Sequence, residues 1–351
     1  MNPDFPSCDT LLLYNAGKPG SPVESMGRSP EADGCTPPYP LVAVAGPTGS
    51  GKSELALRIA EEFGGEVVNC DSLQVYRHFD IGTAKLTLAE RRGIPHHLLD
   101  VIDPDQVFTA GEYARRAREI LAEIAARGRL PVVAGGTGFY LRALIDGLFE
   151  GPSRDQDLRD RLGRREARRP GSLHRILRRL DRQAAARIHP HDVPKVTRAL
   201  EVCLLTRRPV SALFGEGRAA LRGYRVLKLG LLPDRDALYD RLNTRCEAMF
   251  AAGLVEEVRH ILALGFPPES GPFKAHGYRQ AMQSIRGELS PRDAVFYAQR
   301  NTRNYAKRQL TWFRREPNLE WLRGFADTPG IVEQALALVA AHLAPARAGS
   351  G

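Results

Sequence analysis

Leu41-Val42-Ala43-Val44-Ala45-Gly46-Pro47-Thr48-Gly49-Ser50-Gly51-Lys52-Ser53 is the stretch that decides the fold. Its first five residues are a short apolar run, and Glu54 to Phe63, which follow, have helical composition. Between them Gly46 to Ser53 match G-x-x-x-x-G-K-[ST], so strand, glycine-rich turn and helix stand in the order that a phosphate-binding loop requires. Glycines let the backbone curl until its N–H groups face one centre, and the helix N-terminus adds a favourable field. Lys52 supplies a cation, and Ser53 a hydroxyl that can hold Mg²⁺. Such a loop binds a di- or triphosphate; whether ATP, GTP or another diphosphate stays open at this point.

Working outward, apolar runs recur at residues 66–70, 130–134 and 226–232, with helical patterns such as residues 110–127 between some of them. This alternation predicts an α/β fold of the P-loop NTPase kind, a mainly parallel sheet with helices on both faces. The run from Glu66 delivers Asp71 to the carboxyl end of the sheet, beside the phosphate loop. A carboxylate there can act as a base or hold Mg²⁺ through water. No later run ends in an aspartate suited to a nucleotide hydrolase; Leu130 to Ala134 lead instead into Gly135-Gly136-Thr137-Gly138. That weakens the ATPase and GTPase readings and suits close backbone approach to a bulky substrate.

Charge divides the chain of 351 residues, whose net charge is +9 and pI about 9.5. Residues 151–210 hold 15 arginines and one lysine against seven acidic residues and show no strand candidate. We read residues 151–215 as a basic helical insertion between a first core segment, 41–150, and a returning one, 216–345, with disordered ends at 1–40 and 346–351. Translation could begin at Met1 or Met26, and the helical pattern from Pro291 to Arg315 closes the structured part. Within it Arg300, Arg303, Lys307, Thr311 and Arg314 fall in one arc. Cys8, Cys35, Cys70, Cys203 and Cys246 are scattered, which suggests neither disulfides nor zinc. Leu11 to Leu13 are too short for a signal sequence and no run reaches membrane-spanning length, so a place in the cytoplasm, away from membranes, is expected. A monomer is expected as well.

Several segments taken together resemble the tRNA dimethylallyltransferase (tRNA isopentenyltransferase) family of the bacterial type. Besides the phosphate loop these are Asp71-Ser72-Leu73-Gln74-Val75-Tyr76, Asp80-Ile81-Gly82-Thr83-Ala84-Lys85, Pro95-His96-His97-Leu98-Leu99-Asp100 and Gly135-Gly136-Thr137-Gly138-Phe139-Tyr140. Arg187-Ile188-His189-Pro190, Arg198-Ala199-Leu200-Glu201, the run from Gly253 to Val258 and that from Ala306 to Arg314 continue the series in order. The resemblance implies that the loop, Gly46, Pro47, Thr48, Gly49, Ser50, Gly51, Lys52 and Ser53, holds the diphosphate of dimethylallyl diphosphate. The acceptor would be N6 of the adenine 3′ to the anticodon, position 37, in tRNAs that read codons beginning with U. It implies Asp71 as general base, Lys52 and Arg235 as clamps on the diphosphate, and Mg²⁺ at Ser53, with Asp71 reaching it through water. Contacts with the tRNA anticodon stem-loop would come from Asp71, Ser72, Leu73, Gln74, Thr137, Arg159, Lys195, Arg198, Lys274, Arg279, Arg303, Lys307 and Arg308. His276 departs from the family pattern, which has an aliphatic residue there; a buried or solvated histidine is expected. A small-molecule kinase, an adenylate isopentenyltransferase and a non-catalytic RNA-binding protein are the rival readings. The basic insertion argues against the first two, and the phosphate loop with Asp71 against the third.

Overall fold

The computed structural model describes residues 38–149, 151–215 and 219–344; the expected tail and all but the end of the expected N-terminal extension lie outside them. The chain divides into two units, one formed by residues 38–145 with 221–344 and the other by the insertion, residues 146–220.

The larger unit carries six parallel strands, β1 (Tyr39–Ala45), β2 (Gly65–Asn69), β3 (His96–His97), β4 (Leu130–Ala134), β5 (Tyr224–Leu231) and β6 (Leu319–Leu322), in the order β3-β2-β4-β1-β5-β6. β1 begins at Tyr39, inside the stretch assigned to the extension, because Tyr39 N–H donates to Gly223 O at 2.8 Å. The central strands are buried on both faces, as their unbroken apolar runs require. Val42, Val44, Val67, Val132 and Leu229 form one core with Leu55 and Ile59 of α1 (Lys52–Phe63). α2 (Ala110–Ala126) packs on β2 and β4 and against α3 (Gly138–Ile145).

Register positions the site. Val44 and Asn69 both lie opposite Ala134, and Ala45 lies opposite Gly230, so four strands end level. Gly46, Cys70, Gly135 and Leu231 are therefore the first or last residues at one carboxyl edge, where parallel α/β sheets build their sites.

After β5 come α4 (Arg235–Ala251), α5 (Leu254–Ala263), α6 (Tyr278–Ile285) and the long α7 (Pro291–Phe313). The expectation that the structured chain closes with this helix is corrected, since β6 and α8 (Ile331–Leu343) follow it. Ile331, Ala335 and Val339 fill the far side of the core beside α1. The loop after β6 also reaches the site, with Ala326 N–H donating to Ser50 O at 3.1 Å.

The insertion is helical, as read from its sequence, with helices at Gln156–Arg168, Ser172–Leu180, Arg182–Arg187, Val193–Thr206 and Val210–Gly215. Asp155, Asp181 and Asp192 cap three of them. The unit has its own apolar core, including Leu158, Leu162, Leu173, Leu177, Val196 and Leu200.

Candidate active site

The phosphate loop is built as its sequence demands. Gly49 and Gly51 take φ of 81° and 93°, and a Cβ on Gly49 would lie 2.8 Å from Leu242 Cδ2. Ser50 Oγ and Lys52 Nζ both donate to Pro47 O, at 2.8 and 2.7 Å. The Lys52 ammonium is pushed down to about 8, chiefly by burial; Asp71 pulls it partly back up and Arg245 adds repulsion.

Asp71 follows β2 in a tight turn. Its N–H donates to Asn69 Oδ1 at 3.0 Å, and its own Oδ1 accepts Leu73 N–H at 2.9 Å. Oδ2 makes no hydrogen bond among the described residues, so it is the oxygen available to a ligand. The loop beyond is fixed by Lys85, whose buried ammonium pairs with Asp80 at 2.6 Å and Asp100 at 2.5 Å, and by Gln74 Nε2, which donates to Thr83 O at 3.1 Å.

A cavity of about 350 Å³ opens over Thr48, Gly49, Gly51, Lys52 and Ser53 and is walled by Asp71, Gln74, Arg241 and Arg245. A narrower space of about 70 Å³ shares Thr48, Asp71, Thr83 and Arg245 with it and is otherwise mostly apolar, lined by Leu242, Cys246, Met249, Phe250 and Tyr305 among others. Cation and carboxylate thus meet between a polar chamber and an apolar one.

Arg235 does not join them. It opens α4, pairs with Asp236 at 3.5 Å, lies 5.6 Å over the Tyr239 ring and is 74% exposed. Two arginines of α4 do line the cavity: Arg241, which is paired with Asp327, and Arg245, which burial lowers below the usual guanidinium range and which makes no hydrogen bond among the described residues. The sequence held a signal for it: Leu238, Leu242, Arg245 and Met249 share one face of α4, and a cation on an apolar stripe needs an anion.

The glycine turn also has a different reason from the expected approach to a bulky substrate. A Cβ at Gly135 would sit 2.1 Å from Cys70 O, one at Gly136 2.3 Å from Gln309 Nε2, and one at Gly138 2.1 Å from Trp312 Cδ1. Protein groups occupy the space. Thr137 and Ser72 face each other, with Ser72 N–H donating to Thr137 Oγ1 at 3.0 Å and the hydroxyls 3.3 Å apart.

On α7, Arg300, Lys307, Thr311 and Arg314 are exposed along one side, while Ala298, Ala306, Gln309 and Phe313 are buried. Arg303 leaves the stripe and donates to Asn243 Oδ1 on α4. Arg308 lies 5.8 Å over Tyr305. Lys274 is exposed, Arg279 half-buried. His276 is half-buried, 5.2 Å from the Tyr305 ring, and is pushed down to about 4 by burial and then by Arg308 and Arg279, so it is neutral at pH 7.

Within the insertion, Arg159 and Arg198 both grip Glu201, which is wholly buried, at 2.7 and 2.5 Å; Lys195 is buried on Asp192 at 2.6 Å. Their charge is compensated in place. Uncompensated charge lies on an open groove of about 630 Å³ lined by Arg178, Arg179 and Arg182 with His174 at its base. None of these arginines has an ion pair among the described residues. His174 Nε2 donates to Ala185 O and Ile188 O at 3.0 and 3.1 Å, which fixes the helices on either side.

Ser53 and Asp71 line the same cavity with hard oxygen donors, which fits Mg²⁺ bound largely by phosphate and water.

Comparison with known proteins adds the family context. A family model described as IPP transferase matches residues 74–316. The chain is 74% identical over 304 residues to a tRNA dimethylallyltransferase of Solibacter usitatus, covering 87% of this chain and 99% of that one. It is 56% identical over 300 residues to a tRNA dimethylallyltransferase of Koribacter versatilis, covering 85% and 97%. Its fold resembles the tRNA isopentenylpyrophosphate transferase of Bacillus halodurans, at 36% identity and a TM-score of 0.65 over 87% and 96% of the two chains. A eukaryotic dimethylallyltransferase acting on tRNA aligns with a TM-score of 0.75 at 28% identity over 86% and 79%.

Proposed function

We propose, for a chain that belongs to the IPP transferase family, that it transfers the dimethylallyl group of dimethylallyl diphosphate to N6 of an adenine of tRNA, the one 3′ to the anticodon. One observation carries the reading: Asp71 stands where the phosphate loop's chamber meets an apolar one, so a diphosphate and a prenyl chain can be held on either side of a base.

The exocyclic amine of adenine is a weak nucleophile. Asp71 Oδ2 orients it and accepts its proton as the new N6–C bond forms and the allylic C–O bond breaks. The departing diphosphate gathers negative charge, which Lys52, Arg245 and the loop's N–H groups are arranged to receive. Bound at Ser53, with Asp71 reaching it through water, Mg²⁺ would supply further charge neutralisation there. Leu242, Met249 and Phe250 exclude water from the allylic carbon while it carries partial positive charge. Thr137 and Ser72, held hydroxyl to hydroxyl, form the edge against which the base is placed. The adenine must leave its stack to reach this depth.

Each unit by itself carries a basic surface suited to RNA phosphates: the stripe of Arg300, Lys307 and Arg314 along α7 in the larger one, and the arginine groove in the insertion. A tRNA substrate supports a cytoplasmic location. Among the described residues no helix is long and apolar enough to cross a membrane.

Labelled dimethylallyl diphosphate incubated with tRNA, followed by nucleoside analysis, tests the reading. Label should appear in N6-dimethylallyladenosine, and Asp71→Ala should lower turnover by about 10²-fold or more while diphosphate binding persists. Label on free adenosine phosphates, or consumption of ATP in its place, would replace the reading with one of its rivals.

A further inference from the structure

The inner face of α7 carries one polar side chain into the site's foundations. Gln309 is 4% exposed; its Oε1 accepts Thr48 N–H at 2.8 Å, and its Nε2 donates to Gly136 O at 2.8 Å. The first partner belongs to the phosphate loop and the second to the turn after β4. From Gly136 the chain passes directly to Thr137, whose N–H donates to Cys70 O at 3.1 Å and whose hydroxyl receives Ser72 N–H at 3.0 Å. Cys70 and Ser72 flank Asp71.

One amide therefore spans the loop that cradles the leaving group and the loop that presents the base. Its two bonds are directional and opposite in sense, so no apolar or acceptor-only side chain can make both. The Thr48 N–H is engaged by Gln309 and so is already spent on a protein acceptor. Gly136 has no room for a side chain because the amide fills that space.

We propose that Gln309 is a positioning residue that fixes the spacing between the diphosphate cradle and the Asp71 carboxylate, acting through Thr48 on one side and Thr137 on the other. The inference rests on the transferase reading given above. Without the amide, each loop retains its own ligand contacts, while the distance from amine to allylic carbon is no longer held. Misplacement by about 1 Å at a reacting pair costs on the order of 10²-fold in rate.

Steady-state transfer kinetics with Gln309→Leu, which removes both bonds at similar volume, test the proposal. The expected result is a fall in kcat of about 10- to 100-fold, with KM for dimethylallyl diphosphate and for tRNA each within about threefold of the parent. Thr137→Val breaks the same chain of contacts further on, so the double variant should lose much less than the product of the two single losses. Gln309→Met, flexible and equally free of polar atoms, carries the test if the leucine variant does not fold. A kcat within twofold of the parent in a folded variant, or additive losses in the double variant, overturns the proposal. Failure of the parent to transfer the prenyl group at all would strike the functional reading instead, and the two failures are read from different reactions.

Discussion

Glu201→Gln in the insertion removes one charge at almost constant volume. The Glu201 carboxylate is fully buried and receives Asp155 N–H, the Arg159 guanidinium through two bonds and Arg198, four donors in all. Burial alone would raise its pKa, but Arg159, Arg198 and the Asp155 N–H overcome that and hold it at about 2. Against an unfolded value near 4.5, a shift of this size corresponds to roughly 3 kcal/mol. Arg159 and Arg198 are 23% and 36% exposed, so solvent screens part of it and about 2 kcal/mol is the working figure. Because the folded pKa is depressed, this stability is present above pH 4.5 and is lost as pH falls from there through 2. Urea unfolding at pH 7 should show the variant destabilised by about 2 kcal/mol, with the gap to the parent closing in acid. Arg198→Ala should do the same and leave the salt dependence of tRNA binding unchanged. An Arg198→Ala protein as stable as its parent, binding tRNA more weakly with a flatter salt slope, would refute the reasoning and make these arginines RNA contacts.

If Lys52 holds the diphosphate as a cation, affinity for dimethylallyl diphosphate should be full near pH 7 and should fall as pH rises through about 8; a flat binding profile between pH 7 and 9 would contradict that role. Arg245→Ala should reduce kcat/KM by 10²-fold or more, whereas Arg235→Ala should change it less than threefold, measured side by side in the transfer assay. Changing Arg178, Arg179 and Arg182 together to alanine should raise the apparent tRNA constant and lower the log–log salt slope by roughly 0.7 to 0.9 per lost contact. Saturating rate and affinity for dimethylallyl diphosphate should stay as they are, and an unchanged slope would make the groove an ordinary solvated surface.

The sheet and the phosphate loop were legible because both rest on local pattern, apolar runs with a fixed glycine spacing between strand and helix. The place of Asp71 was legible for the same reason, since it is the carboxylate two residues beyond a strand. β3 escaped notice because two residues carry no period, and β6 because its four residues alternate over too short a span to register. That Arg245 lines the cavity while Arg235 stays exposed was not legible, because choosing between arginines of one helix requires knowing which face is buried. Arg159, Lys195 and Arg198 look like free cations in sequence; Asp192 and Glu201 pair with Lys195 and Arg198 three residues away on one helix, and Glu201 takes Arg159 as well once the helices pack. Net charge counts such residues, whereas recognition depends on those left without partners.

The strand order has a consequence for how the chain comes off the ribosome. β1 pairs on one side with β4 and on the other with β5, whose first residue, Tyr224, lies opposite Tyr39. Its second edge therefore stays open while nearly two hundred further residues are made, a wait of roughly 10 to 40 s at ordinary elongation rates. Unpaired apolar strands invite pairing with the wrong neighbour. The insertion emerges during that interval with a core of its own, and can condense apart from the waiting strand before β5 arrives to cover it.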